Sequence, residues 1–169
     1  MAEPGSFRST ATRCRSSSVC VPAAEHVPPR ASTVCAELYG RIGPLARRAV
    51  DGLDRDQLVR LPAPGTNSIG WLIWHAVRVE DHHVAELVDA DQVWQRDDWA
   101  PRFELEPNPA NIGYGHTPDD VAQVKPHGPE SLLGYLAAVD AGTTALLKTV
   151  GPADLDRVVD RRWDPPVWM

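Results

Sequence analysis

Apolar residues recur at helical spacing in three long stretches of this chain. The first, CAELYGRIGPLARRAVDGL, carries Leu38, Ile42, Leu45, Ala49 and Leu53 on one stripe and predicts a helix near 35–52. Gly43-Pro44 interrupts it, so a kink or a late start at Pro44 is expected. Gly52 and the segment DRDQLVRLPAPGT end it. The second stretch follows three good N-cap residues, Thr66, Asn67 and Ser68, and predicts a helix over 67–89. Ile69, Ile73, Ala76, Val77, Glu80, Val84 and Leu87 share its stripe. Trp71, Leu72 and Trp74 make the first half apolar nearly all round, the pattern of a helix buried on several sides. The second half, RVEDHHVAELVD, is more amphipathic and is expected to run out towards solvent. The third stretch, 129–150, places Leu132, Leu133, Leu136, Val139, Thr143, Leu146, Leu147 and Val150 on one face, and Gly151-Pro152 stops it.

Residues 90–128 form a long irregular connection with Trp94, Trp99, Phe103, Tyr114 and five prolines. A connection of that length in a compact domain is usually functional or packed over an opening. Inside it, Thr117-Pro118-Asp119-Asp120 is a strong helix start: a cap, proline at the first position, and acids at the positive pole of the dipole. Pro126 limits that helix to 118–124. Pro165 and Pro166 forbid a regular helix in RRWDPPVWM. The predicted fold class is all-α, with three long helices and a short loop helix. Residues 1–33 lack periodicity and are rich in Arg, Ser and Pro. They read as a disordered tail, a mis-assigned start or an organellar-type leader.

Composition narrows the function. The 169 residues suffice for one domain with a core. A net charge of −6 argues against nucleic acid or an anionic membrane surface as a partner. No apolar run reaches the roughly 18–20 residues of a membrane span, and no secretory h-region is present. Cys14, Cys20 and Cys35 all lie in the first 35 residues; an odd count there argues against a disulfide framework and for a reduced, cytoplasmic chain.

The candidate chemistry centres on His75. An imidazole on an apolar bundle helix suggests a metal ligand from facing helices, or else a buried histidine bonded to a neighbouring loop. Arg78 and Val79 occupy i+3 and i+4, so the helix cannot complete a site with His75 alone. His82 and His83 lie roughly 10–12 Å further along the axis and read as surface residues. Glu80 and Asp81 read as ordinary helix charges. His116 and His127 flank the short loop helix. The chain has no Gly-rich phosphate loop, nucleophile elbow, HExxH or zinc-type Cys pair.

The run NSIGWLIWHAVRVE, with its capped start, Trp-His core and a Glu five residues after the His, resembles the second-helix signature of the DinB-like superfamily. LYGRIGPLARRAVDGL, PAPGT, the aromatic-rich connection and TPDDV also resemble that family, over about residues 36–165. The superfamily includes thiol-dependent enzymes such as mycothiol-dependent maleylpyruvate isomerase. The resemblance implies an up-down-down-up four-helix bundle and a divalent metal, zinc or nickel, held by three residues, commonly histidines. The first ligand maps onto His75. The other two come from a C-terminal His-x-x-x-His helix, and 1–169 contains no such segment. The expectation is therefore a domain over 34–169 that is an incomplete bundle. Its implied activity is metal-dependent transfer or isomerisation of small molecules, with a low-molecular-weight thiol as co-reactant, impaired by the missing helix. The competing expectation is a non-catalytic bundle remnant or interaction protein that self-associates, for example as a homodimer, through an exposed apolar groove.

Overall fold

The computed structural model describes residues 30–162 and 167–168. Apart from residues 30–33, the segment read as a tail lies outside the described residues. Seven α-helices are described: α1 (Ala31–Tyr39), α2 (Ile42–Val50), α3 (Arg55–Val59), α4 (Ile69–Val88), α5 (Val93–Arg96), α6 (Pro118–Gln123) and α7 (Pro129–Thr149). Single 3-10 turns cover Ala100–Phe103 and Pro152–Asp156. A short antiparallel ladder, β1 (Val158–Asp160) with β2 (Val167–Trp168), follows α7. The fold is an all-α bundle, as the periodicity predicts.

The first predicted helix is two. It starts at Ala31, ahead of the expected 35, and breaks at Gly40-Arg41 rather than at Gly43-Pro44. Pro44 falls in the first turn of α2, where its missing N–H removes a donor that has no intrahelical partner anyway. Helix α3 lay hidden in the segment read as a terminator. Asp54 and Gln57 form a reciprocal capping box that nucleates its five residues. Ser68 is the cap that starts α4, accepting from the Trp71 N–H at 3.1 Å. α6 begins as expected, with Thr117 and Asp120 bonded reciprocally.

The main pairing is α4 against α7, with α1 and α2 packed on α7 and α3 on α4. The buried face of α4 is not the expected stripe. It runs Gly70, Trp71, Trp74, Val77, Arg78, Asp81, Ala85, about one residue round from it. Leu72 remains 50 % exposed, so the first half is not enclosed on all sides by the described residues. The connection 90–117 supplies much of the core. Trp94 and Phe103 are buried, and their rings meet Tyr135 of α7 with centroids 5.3 and 6.0 Å apart. Arg102 caps this group from outside, over the Trp99 ring. The indole N–H groups of Trp74, Trp94 and Trp99 find no acceptor among the described residues. Each forgoes a bond worth about 1 kcal/mol to bury roughly 150–250 Å² of aromatic surface.

Candidate functional site

His75 projects from the second turn of α4 towards the connection. Its Nδ1 lies 2.6 Å from the Ile112 carbonyl oxygen. A carbonyl only accepts, so Nδ1 carries the proton and Nε2 presents a lone pair. The ring stacks on Trp71, centroids 4.6 Å apart at 19°, and Tyr114 meets it edge-on at 5.4 Å. This close approach depends on Gly113. Its φ is +94°, and a Cβ there would stand 2.6 Å from His75 Nδ1.

His116 is fixed just as tightly. Trp71 Nε1–H donates to its Nδ1 at 3.0 Å, so its Nε2 carries the proton and donates to Asn111 Oδ1 at 2.8 Å. Desolvation holds its pKa below the ordinary 6.5. With both nitrogens engaged, His116 positions the loop and offers no lone pair. His127 is exposed, and its backbone N–H donates to the Arg102 carbonyl.

Behind His75 lies a buried polar network that the charge pattern did not suggest. Arg78 is fully buried. Its Nε donates to the Asn111 carbonyl, Nη2 to the Pro109 carbonyl, and Nη1 to Gln92 Oε1 and the Tyr135 hydroxyl. Asp81 faces it at 3.4 Å and accepts from the Val93 and Trp94 N–H groups, both at 2.8 Å. Tyr135 also donates to Asp81, at 2.7 Å. Asp81 thus caps α5, while Arg78 pins the carbonyls on either side of Ala110. The loop that holds His75 is anchored by Asp81, read from sequence as an ordinary helix charge, and by Arg78, noted there only as the occupant of i+3. The available signal was an Arg and an Asp three apart on a helix face carrying Trp71 and Trp74.

Glu80 points the other way. It accepts from Thr143 of α7 at 2.6 Å, and burial pushes its carboxyl above the usual range. His82, His83 and Glu86 lie together on the outer side of the C-terminal half of α4, with one ligand atom of each within 4.8 Å of the others.

A metal at His75 would need further donors. Among the described residues, no group of three His, Cys, Asp or Glu side chains includes it. One imidazole does not hold zinc or nickel, so these residues alone do not fit the ion that the resemblance implies.

The sequence model of the DinB superfamily matches residues 43–169. No curated protein matches the chain. Among solved structures, a conserved protein from Enterococcus faecalis is similar, with a TM-score of 0.76 and 27 % identity. That match covers 83 % of each chain.

Proposed function

Because the chain belongs to the DinB superfamily, we propose that it acts on small molecules as an enzyme of the thiol-transferase or isomerase type, with the Nε2 face of His75 as its reacting centre. One observation carries this reading. The Ile112 carbonyl fixes the imidazole as the Nδ1–H tautomer, so Nε2 is a pre-oriented lone pair beside Trp71 and Tyr114. A carbonyl partner on the far nitrogen is also how a ligating histidine is normally oriented. Nε2 can accept the proton of a small thiol, and the two aromatic rings wall the approach. A zinc or nickel ion on His75 would occupy that same Nε2 lone pair, so metal ligation and proton acceptance are alternative uses of it. The described donors do not complete a shell for such an ion at His75. No helix among the described residues is long and apolar enough to cross a membrane; a cytoplasmic location belongs to the proposal.

The test is thiol addition to a small unsaturated acid, followed with and without added zinc or nickel. His75→Ala is expected to lower the rate by roughly 10²-fold or more, the usual scale for a positioned acid-base group. Equal rates in both proteins would refute the assignment.

A second reading has its own support. Val34, Leu38, Ile42 and Leu45 are exposed along α1 and α2. Large apolar side chains exposed together on neighbouring surface helices are the raw material of an interface. A non-catalytic bundle that associates through this face would show no His75-dependent rate at all.

A further inference from the structure

We propose that His82, His83 and Glu86 form a cation site separate from His75, for a divalent first-row transition metal, and that Gln92 sets its strength. His82 Nε2 lies 3.7 Å from Glu86 Oε1, and His83 Nδ1 lies 3.6 Å from Glu86 Oε2. Donors bound to one ion at roughly 2.0–2.2 Å stand about 3.4 Å apart in a tetrahedron. Small rotations of the exposed His83 and Glu86 side chains about the half-buried His82 therefore bring three donors to one ion and leave positions for water. Two imidazoles and a carboxylate suit zinc, nickel, cobalt or copper rather than magnesium or calcium. The surroundings favour a cation as well. Glu86 lies in the last turn of the 20-residue α4, at the negative pole of its dipole, and that turn has no basic residue. A polar cleft of about 230 Å³ adjoins it, lined by His82, Glu86, Asp89, Asp91, Gln92 and Gln95. Arg162 competes weakly, 3.6 Å from Glu86, but its firm partner is Asp160 at 2.8 Å.

The restraint comes from Gln92. Its Oε1 accepts from Arg78 at 2.9 Å, which fixes the amide orientation and turns Nε2 towards His82 Nδ1 at 3.1 Å and the Pro109 carbonyl at 3.3 Å. His82 Nδ1 therefore accepts, and its proton sits on Nε2, the atom a metal needs. Binding must move that proton to Nδ1, where it confronts the Gln92 amide. The resulting loss of one neutral hydrogen bond holds the wild-type affinity down. A carboxylate at position 92 would accept both from Arg78 and from His82 Nδ1–H, completing a carboxylate–histidine–metal relay.

The experiment titrates chelator-stripped full chain with zinc against a chromophoric indicator, with cobalt absorption as a second readout and circular dichroism to confirm folding. A single equivalent is expected to bind. His83→Ala and Glu86→Gln should each weaken it about tenfold or more, Gln92→Glu should tighten it about tenfold, and His75→Ala should leave it unchanged. Binding that survives the His83→Ala/Glu86→Gln double variant, binding lost in His75→Ala, or no binding at all would overturn the site. If Gln92→Glu fails to fold, His82→Ala takes its place: unchanged affinity there would overturn the role given to Gln92. His75-dependent thiol chemistry could fail without touching any of these outcomes.

Discussion

Single atoms decide how the His75 imidazole is held. Gly113→Ala would force a Cβ to within 2.6 Å of Nδ1 at a backbone φ of +94°. Either the loop retreats or the Ile112 bond breaks. The expected cost is about 1–3 kcal/mol in urea unfolding, with loss of the slowly exchanging His75 Nδ1–H signal in NMR. A variant as stable as wild type that keeps that signal would contradict the geometry. His116 gives a pH prediction. Its folded-state pKa is lowered below 6.5, so below 6.5 the unfolded chain binds more protons. Its contribution is complete above 6.5 and is lost as pH falls through the window beneath, because the desolvated ring resists charge and a proton on Nδ1 would face the Trp71 N–H. Melting curves should show this loss in wild type, and His116→Gln should remove that segment of the pH dependence. Sequence pointed to His75 as chemistry and to a loop partner as its alternative. It could not point to Gly113 or Ile112, because a carbonyl acceptor leaves no trace in residue type.

The elements owe their arrangement to a pair of charges. Asp81→Ala would leave the buried Arg78 without its carboxylate, uncap α5 and orphan the Tyr135 hydroxyl. Removing one partner of a buried ion pair costs about 3–5 kcal/mol. Tyr135→Phe deletes a hydroxyl that donates to Asp81 and accepts from Arg78, leaves the ion pair in place, and should cost about 1–2 kcal/mol. Denaturant titrations that find the two equal would show that Asp81 does not anchor the loop. This network also explains where reading the chain went astray. Hydrophobic spacing located α4 and α7 to within two residues, since burial and period are one signal there, and the Thr117-Pro118 capping start located α6. It misplaced the buried face of α4 because Arg78 and Asp81 count as polar in any periodicity, although each is almost fully desolvated. It missed α3 and α5 because both are shorter than two turns and depend on Asp54 and Asp81 caps rather than on an apolar stripe.

At the scale of the whole molecule, the exposed stripe on α1 and α2 makes a clear prediction. Leu38 and Leu45 are 55 % and 53 % exposed, so Leu38→Lys with Leu45→Lys should leave the melting temperature nearly unchanged. The pair should also abolish any concentration dependence in sedimentation; association that persists would place the interface elsewhere. The all-α class and the long helices were legible from pattern alone. The β1–β2 ladder was not, because RRWDPPVWM announces only the absence of a helix. The buried guanidinium has one more consequence, for the order in which the chain folds. Its partners lie as far as 57 residues away in α7 and 33 away in the loop. If α4 and α7 closed first, a bare charge would be sealed in a dry interface. The folding transition state must either keep Arg78 wet or already contain the loop. On the second route, the loop, nearer in sequence to Arg78 than α7 is, closes before or together with the pairing of α4 and α7.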